Sequence, residues 1–338
     1  MDMTYKSRVG IRREIMKQHP DETTAFLPGS EDMVTEFYKW MVEIYLPRRF
    51  PSMYIPIAPT DETPSDKTRS VYIRNRVSND SLPLEPASAH SALKILGGHV
   101  DTDFLFLSRN VETGKYHLDA FVCCFPSGFS LSKKKIGRPL AEIHAPVPGY
   151  AEKLERSMDR FFDRIEVGQI VRRANWTITT DDELYREEGT HLYAEDDTTE
   201  DSPSDVGREE MLESDEDGAF GALDNVLRDL RDQEPDQTAP HMSRTSQAEE
   251  IRKQKENVNV EDCRLRCERQ TLHRLPMSRG LVFAFKTYQY TLKEIKEEGS
   301  GEDLAAAIEG LSKGNAPNMK YYKRGVVWGD KVVEYLRS

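Results

Sequence analysis

Hydrophobic residues follow a helical period in several stretches of the chain. The clearest stretch predicts a helix over 31–46, with Ser30 at its N-cap and Pro47 at its end. A second helix is predicted over 150–167 and a shorter one over 87–96, closed by the Gly97-Gly98 pair. Further helices are predicted in the C-terminal third. The apolar positions of the first helix are Met33, Val34, Phe37, Tyr38, Met41, Ile44 and Tyr45.

Alternating and β-branched positions predict strands elsewhere. The stretches 103–108 and 116–125 are joined by a short segment with Gly114 and predict a hairpin. Three further strands are predicted over 170–179, 264–275 and 281–290, whereas the proline-rich stretch 51–86 is expected to be irregular. Helices, then antiparallel strands, then helices indicate an α+β fold around one antiparallel sheet.

Charge changes this picture at one place. The 338 residues carry a net charge of −12, but residues 195–217 hold 12 acidic residues and a single base, Arg208. The surrounding stretch 186–258 has few aromatic residues, so it is expected to be a disordered acidic insertion. We therefore predict one domain formed by 1–185 and 259–338.

Several functional classes are disfavoured. No apolar run reaches the 18 residues of a membrane span, and the charged N-terminal stretch resembles no secretory signal. With four cysteines and no visible signal, a cytoplasmic location is expected. No basic stripe with interleaved aromatics suggests nucleic-acid binding. The common nucleotide-binding, zinc-protease and serine-hydrolase signatures are missing from the sequence.

Two segments carry candidate chemistry. His144 lies in Ile-His-Ala-Pro-Val-Pro-Gly, where Pro146 and Pro148 stiffen the backbone beside an imidazole. Such a histidine suits a haem ligand, a metal ligand or a base, although a structural hydrogen bond in a loop is the simpler explanation of a lone histidine. The second segment is Glu268–Pro276. On a strand, Arg269, Thr271 and His273 face one side, and Gln270, Leu272 and Arg274 face the other.

Other features have simpler interpretations. Arginines spaced as in the second segment can bind carboxylates or phosphates, or can be ordinary surface residues. Adjacent Cys123 and Cys124 point to opposite faces of a strand, which disfavours a shared zinc ion. The lysines at 133–135 can steer an anion or solubilise a loop. Trp176 is most simply a buried indole on a strand.

Six ordered motifs together resemble one family, the α subunit of the haem-dependent oxidative N-demethylases, also called HRQ family proteins in fungi. The likeness extends from Tyr5 to Leu311 outside the acidic insertion. The motifs are Phe125-Pro126-Ser127-Gly128-Phe129, Lys135-Ile136-Gly137, Ile143-His144-Ala145-Pro146-Val147-Pro148, Arg173-Ala174-Asn175-Trp176, the segment Glu268–Pro276 and Phe285-Lys286-Thr287-Tyr288.

The resemblance implies a PAS-like fold that holds haem b. It implies a monooxygenase that converts a small methylated amine such as dimethylamine, with dioxygen, to the demethylated amine and formaldehyde. The electrons are then expected from NADPH through FMN and an iron–sulfur cluster on partner subunits, in a complex associated with tetrahydrofolate. A chain with no flavin or ferredoxin motif of its own suits that division of labour.

Carried over by position, the resemblance makes His144 the expected axial ligand of the iron, with His273 as the competitor. Arg269, Gln270 and Tyr288 are the expected catalytic residues of the haem pocket. The expected cofactor-binding residues, besides the two histidines, are Lys135, Asn175 and Arg274. Two rival functions remain open. They are a non-catalytic haem sensor, with the acidic insertion facing a partner, and a haem-free interaction protein that keeps the fold.

The turn Met277-Ser278-Arg279-Gly280 is bulkier and more charged than the family pattern, and the start of the chain matches it loosely. These departures bear on substrate identity more than on haem binding, because substrate choice depends on a few pocket contacts.

Overall fold

The structure is a computed structural model that describes residues 2–57, 72–131, 135–144, 154–192, 244–313 and 318–338. Its main feature is a six-stranded antiparallel sheet in the order β1-β6-β5-β9-β8-β7. The strands are β1 (Thr24–Phe26), β5 (Asp103–Arg109), β6 (Tyr116–Val122), β7 (Ile170–Thr179), β8 (Arg264–Arg274) and β9 (Leu281–Thr291). The predicted α+β class, the β5–β6 hairpin and the three later strands are confirmed.

A small second sheet occupies part of the stretch that was expected to be irregular. It is antiparallel, in the order β2-β3-β4, with strands Tyr54–Ile57, Tyr72–Asn75 and Asp80–Pro83. The prediction missed it because each strand has only four residues, too few for a period to emerge between prolines. The buried side chains of Tyr54, Ile73 and Leu82 anchor it to the core.

Helices lie before, between and after the strands of the large sheet in the chain. The first group is α1 (Tyr5–Gln18), α2 (Pro20–Thr23), α3 (Glu31–Lys39), α4 (Leu46–Arg49), α5 (Ala89–His99), α6 (Leu140–His144) and α7 (Leu154–Arg164). The second group is α8 (Arg244–Asn257), α9 (Leu292–Glu297), α10 (Gly301–Gly310), α11 (Met319–Tyr322) and α12 (Gly325–Arg337). No helix among the described residues is long and apolar enough to cross a bilayer.

The helix predicted over 31–46 differs in two ways. A π-helical segment, Trp40–Tyr45, interrupts it, and the helical backbone continues through Pro47 to Arg49. Pro47 was predicted to end the helix, which is wrong because it lies in the first turn of α4, where a proline needs no amide partner. Ser30 precedes α3, but its hydroxyl donates to the carbonyl of Leu27 and caps no helical amide.

The glycines of α5 lie inside the helix rather than after it. Gly97 and Gly98 were predicted to close a helix ending at 96, yet α5 continues to His99. A Cβ at Gly97 would come within 2.6 Å of Val122 Cγ2 and 2.7 Å of Met16 Sδ. Close packing of α5 on α1 and β6 explains this glycine.

Three further expectations change at their edges. Helix α8 falls inside the stretch 186–258, so the expectation of disorder is wrong for residues 244–257. Residues 193–243 lie outside the described part of the chain, and the short helix expected at 220–230 lies among them. Ile143 and His144 end a short helix, although their segment was judged too proline-rich for one. The described helix near 150–167 covers Leu154–Arg164.

The chain divides into two compact units. The first comprises Met1–Ile143, Met158–Thr190 and Asp262–Thr291, and contains both sheets. The second comprises His144–Ser157, His191–Glu261 and Leu292–Ser338. In the second unit, α12 is held to α8 by an ion pair between Lys255 and Asp330.

Two hydrophobic clusters cover the two faces of the large sheet in the first unit. One face packs under α1, α3 and α5 with residues such as Phe37, Leu93 and Phe104. The other face packs with Leu118, Phe162 and Phe285. Cys124 belongs to the first cluster and Cys123 to the second, which confirms that these neighbours point to opposite faces.

Candidate functional site

The register of β7, β8 and β9 brings the motif residues into cross-strand rows on the Phe285 face of the sheet. Paired residues of antiparallel strands share a face, and alternate residues along a strand return to it. The rows run from a polar end to an apolar end. They are Thr177–Arg266–Gln289, Asn175–Glu268–Thr287, Arg173–Gln270–Phe285 and Val171–Leu272–Phe283. We call this surface the row face.

A hydrogen-bonded network occupies the middle rows. Arg173 Nε donates to Gln270 Oε1 at 2.6 Å, and Gln270 Nε2 donates to Glu268 Oε2 at 2.9 Å. Asn175 Nδ2 reaches the same Glu268 oxygen at 3.5 Å. The amide of Gln270 is thus oriented by a cation on one side and an anion on the other, which fixes which end accepts and which donates. Gln270 is 4% exposed.

The apolar end of the row face is rich in rings that are only partly covered. Phe129 and Phe283 pack around Phe285 with centroid distances of 6.5 and 5.9 Å. Other half-buried members of this cluster come from α6, α7 and β7, and they are Ile143, Met158, Phe161 and Val171. Partly covered aromatic side chains beside a polar network are typical of a binding surface for a flat apolar ligand.

Two cations border this surface. Arg173 is exposed to solvent, yet desolvation by the surrounding protein lowers its pKa, partly offset by the charge of Glu268. Half-buried Lys135 lies 5.9 Å above the Phe129 ring, and desolvation lowers its pKa as well.

Several polar atoms near the network lack partners. The side-chain oxygens of Thr177 and Thr287 and the Nε2 of Gln289 are buried and make no hydrogen bond within the described residues. All three belong to the row face by register. Buried polar atoms without partners are uncommon, so each is an observation that a bound ligand or water would explain.

Three expected site residues point to the opposite face. His273 packs its ring 5.8 Å from those of Phe37 and Trp40. Tyr288 shares this face with Lys286, and the Lys286 ammonium lies 5.2 Å from the centroid of the Tyr288 ring. Arg269 lies opposite Lys286 in the register of β8 and β9, and its side chain is exposed. The predicted alternation of β8 is therefore confirmed, and it separates Arg269 and Tyr288 from Gln270.

Arg274 has a different task from the one that was expected. Its guanidinium donates to the carbonyls of Ile165, Phe162 and Arg279 and to the Tyr116 hydroxyl. The side chain is 7% exposed. These bonds fasten the end of α7 and the β8–β9 turn to the sheet, and this geometry does not support a propionate contact.

His144 ends α6 and is half-buried. It follows Ile143, whose side chain packs on the Phe285 cluster. His144 is the first residue of the second compact unit, and Pro146 and Pro148 lie outside the described residues.

Sequence reasoning missed two residues of the network, Arg173 and Glu268. Both lie within motifs of the family resemblance, but the neighbouring sequence does not indicate that either residue contacts Gln270. A signal was present in the strand periods, because 173 and 175 share a face, as do 268 and 270. The register between β7 and β8 is the missing information.

The row face suits haem, which is a flat apolar ring with two carboxylates at one edge. The half-buried aromatic residues match the ring, and Arg173 and Lys135 match the carboxylates. No group of three or more His, Cys, Asp or Glu side chains in the described chain is placed to hold a metal ion. Haem makes no such demand, because the porphyrin already holds its iron.

Comparison with known proteins gives one family. A family profile described as "Haem-dependent oxidative N-demethylase, alpha subunit-like" matches residues 1–214 and 230–333. No individually curated protein matches the sequence.

Proposed function

The chain belongs to the haem-dependent oxidative N-demethylase, alpha subunit-like family, and from this premise we propose that its row face binds haem b and that it oxidatively demethylates a small methylated amine. The observation that carries the proposal is the row face itself. Aromatic side chains, two cations and a fixed amide lie together on one face of one sheet. We propose further that this sheet is PAS-like.

Haem binding follows from the chemistry of the surface. The half-buried rings of Phe129 and Phe283, which pack on the buried Phe285, would contact the porphyrin and exclude water from it. Arg173 and Lys135 border this surface and would hold the propionates through charge-assisted hydrogen bonds. Asn175 contacts Glu268 at 3.5 Å and in this way helps to hold the polar network beside this edge.

We propose that His144 would bind the haem iron. It follows Ile143 in α6, and Ile143 contributes to the cluster that would contact the porphyrin. The competitor, His273, faces the opposite side of the sheet among Phe37 and Trp40. A neutral imidazole at the iron is a common haem arrangement.

Gln270 is the remaining catalytic candidate on this face. Its amide is held between Arg173 and Glu268, so a donor N–H is presented in a fixed direction without reorganisation. The haem, when bound and reduced, supplies the activation of dioxygen that oxidation of an N-methyl group requires. Arg269 and Tyr288 lie on the opposite face, and we assign them no part in this site.

Electrons must come from outside this chain. The family description names an alpha subunit, which implies a partner subunit. We propose that this partner is a reductase carrying FMN and an iron–sulfur cluster and using NADPH. The protein alone would then bind haem but would not turn over.

The test is a product assay. Haem-loaded protein, dimethylamine, dioxygen and a chemical or enzymatic reductant should yield formaldehyde and methylamine in equal amounts. Omission of the amine should abolish formaldehyde but leave haem reduction intact. A haem-loaded, reducible protein that produces no formaldehyde from any small methylated amine would favour the haem sensor instead.

A further inference from the structure

Glu268 is a buried carboxylate that is only half satisfied. It is 6% exposed and lies in the second row of the row face. Both of its hydrogen bonds, from Gln270 Nε2 and Asn175 Nδ2, end on Oε2. No donor within the described residues reaches Oε1.

The neighbouring cations donate no hydrogen bond to Glu268 within the described residues. Arg173 uses its Nε on Gln270, and Arg266 gives its terminal nitrogens to the carbonyls of Leu184, Phe125 and Pro126. Neither arginine forms an ion pair with Glu268 within 4.0 Å in the described structure, although the charge of Glu268 acts to raise the pKa of both. Oε1 is not among the fully buried unpartnered atoms of the described residues, so it remains open to water or to a ligand. A carboxylate oxygen in that position favours a partner that carries a positive charge.

The missing partner has a defined chemistry. It must donate an N–H or O–H to a carboxylate oxygen, and a positive charge on the donor would compensate the charge that Glu268 brings. It must also be small, because Gln270 and Asn175 occupy the other oxygen at close range. A protonated secondary amine meets these conditions, since aliphatic amines are cationic at neutral pH as the lysine side chain is.

We propose that Oε1 of Glu268 binds the protonated nitrogen of the methylated amine and makes Glu268 the residue that selects a cationic N–H donor. This assignment rests on the proposed function and adds the group that recognises the substrate. Glu268 anchors the nitrogen on the same face on which Gln270 presents its amide. Substrates without an N–H should bind poorly.

The experiment is a calorimetric titration of haem-loaded protein with dimethylammonium chloride. Wild type is compared with Glu268→Gln, which keeps a carbonyl oxygen for the existing hydrogen bonds and removes the charge. Glu112→Gln makes the same chemical change on the exposed β5–β6 turn and is the matched control. Further titrations of wild type use trimethylammonium, which keeps one N–H, and tetramethylammonium, which has the charge but no N–H. The Soret band of each sample records haem loading.

We expect Glu268→Gln to weaken dimethylammonium binding by about ten-fold or more, the usual effect of one charge-assisted hydrogen bond. Glu112→Gln should stay within about two-fold of wild type. Tetramethylammonium should bind wild type about ten-fold more weakly than trimethylammonium, which keeps one N–H and is close to it in size. This comparison tests the N–H requirement by itself if Glu268→Gln does not fold.

Two results would overturn the assignment. Equal dimethylammonium affinity of wild type and Glu268→Gln, with intact Soret bands, would mean that Oε1 takes a water, for example one shared with the unpartnered Arg266 Nε. Equal affinity of wild type for trimethylammonium and tetramethylammonium would remove the N–H requirement. Both results leave the haem function standing, whereas a wild type without a Soret band would overturn the haem function and this assignment together.

Discussion

Arg173 Nε donates a 2.6 Å hydrogen bond to Gln270 Oε1 across the β7–β8 pair. The two residues are 97 positions apart in the chain, and the acidic stretch lies between them. Their contact joins two motifs that otherwise look independent, Arg173-Ala174-Asn175-Trp176 and Glu268-Arg269-Gln270. It also places a partly desolvated cation at the edge of an aromatic surface.

Replacement of Arg173 should weaken haem binding. Arg173→Gln removes the proposed propionate partner, so the haem dissociation constant, measured by Soret titration of the apoprotein, should rise by about ten-fold or more. Arg172→Gln is the control, because Arg172 is the exposed neighbour whose side chain points to the other face of β7. Equal haem affinities of the two variants would refute the propionate role of Arg173.

Part of this site was accessible from the sequence. The strands β7, β8 and β9 have clear periods, so the faces of Gln270 and His273 could be predicted correctly from alternation alone. Which residues meet across strands could not be predicted, because register depends on non-local pairing and is not written in either strand. Arg173 and Glu268 were missed for that reason, and Arg269 and Tyr288 were included although they face away.

The fold was predictable to a similar depth. The helices α3, α5 and α7 and the strands β5 to β9 were predicted, whereas α1, α8 and the four-residue strands of the small sheet were not. The errors at Pro47 and at Gly97-Gly98 have a common origin. Proline and glycine are local signals for helix ends, and in both cases the helix continued past them. Pro47 lies in the first turn of α4, and Gly97 lies inside α5 because it packs closely on Met16 and Val122.

The packing of Gly97 makes a stability prediction. Gly97→Ala should lower the free energy of unfolding by about 1–3 kcal/mol, because the added methyl group meets Val122 and Met16. Gly98→Ala is the control, since its nearest contact is an ordinary 3.5 Å to Arg13. That variant should be stabilised by about 0.5–1 kcal/mol through helix propensity. Chemical denaturation measures both, and a stabilised Gly97→Ala would contradict the packing argument.

The buried ion pair between Arg12 and Asp103 should be costly to break. Arg12 Nη1 lies 2.7 Å from Asp103 Oδ1, both side chains are at most 1% exposed, and Asp103 also accepts from the amides of Cys124 and Phe125. Arg12→Met leaves the carboxylate without its cation, so the free energy of unfolding should fall by about 3–5 kcal/mol.

The adjacent Arg13 provides the comparison for that loss. Arg13 pairs with Asp80 where both side chains are about 40% exposed. Arg13→Met should therefore cost less than about 1 kcal/mol of unfolding free energy. Similar losses in the two variants would show that burial of the Arg12 pair has no energetic consequence.

His99 should make the protein less stable in mild acid. Burial, with a further contribution from nearby Arg13, lowers its pKa from 6.5 to about 4, against the opposing charge of Asp80. The unfolded chain therefore binds a proton between pH 6.5 and 4 that the folded protein does not, and stability falls as the pH falls through that window. The contribution at pH 4.5 is about 2–3 kcal/mol of lost unfolding free energy relative to pH 7.

Urea denaturation at pH 7 and pH 4.5 measures this effect. The loss of unfolding free energy should be smaller in His99→Gln than in wild type. It should not vanish, because desolvation lowers the pKa of His90 and His273 in the same direction. An unchanged difference between the two pH values in the variant would contradict the role of His99.

Haem binding through the row face and His144 can be measured in an absorption spectrum. Apoprotein should be reconstituted with haem b as wild type, His144→Ala and His273→Ala. We predict a stoichiometric Soret band in wild type, a band of similar intensity in His273→Ala, and a collapsed or strongly shifted band in His144→Ala. A wild type without a Soret band, or a band lost only in His273→Ala, would contradict the account.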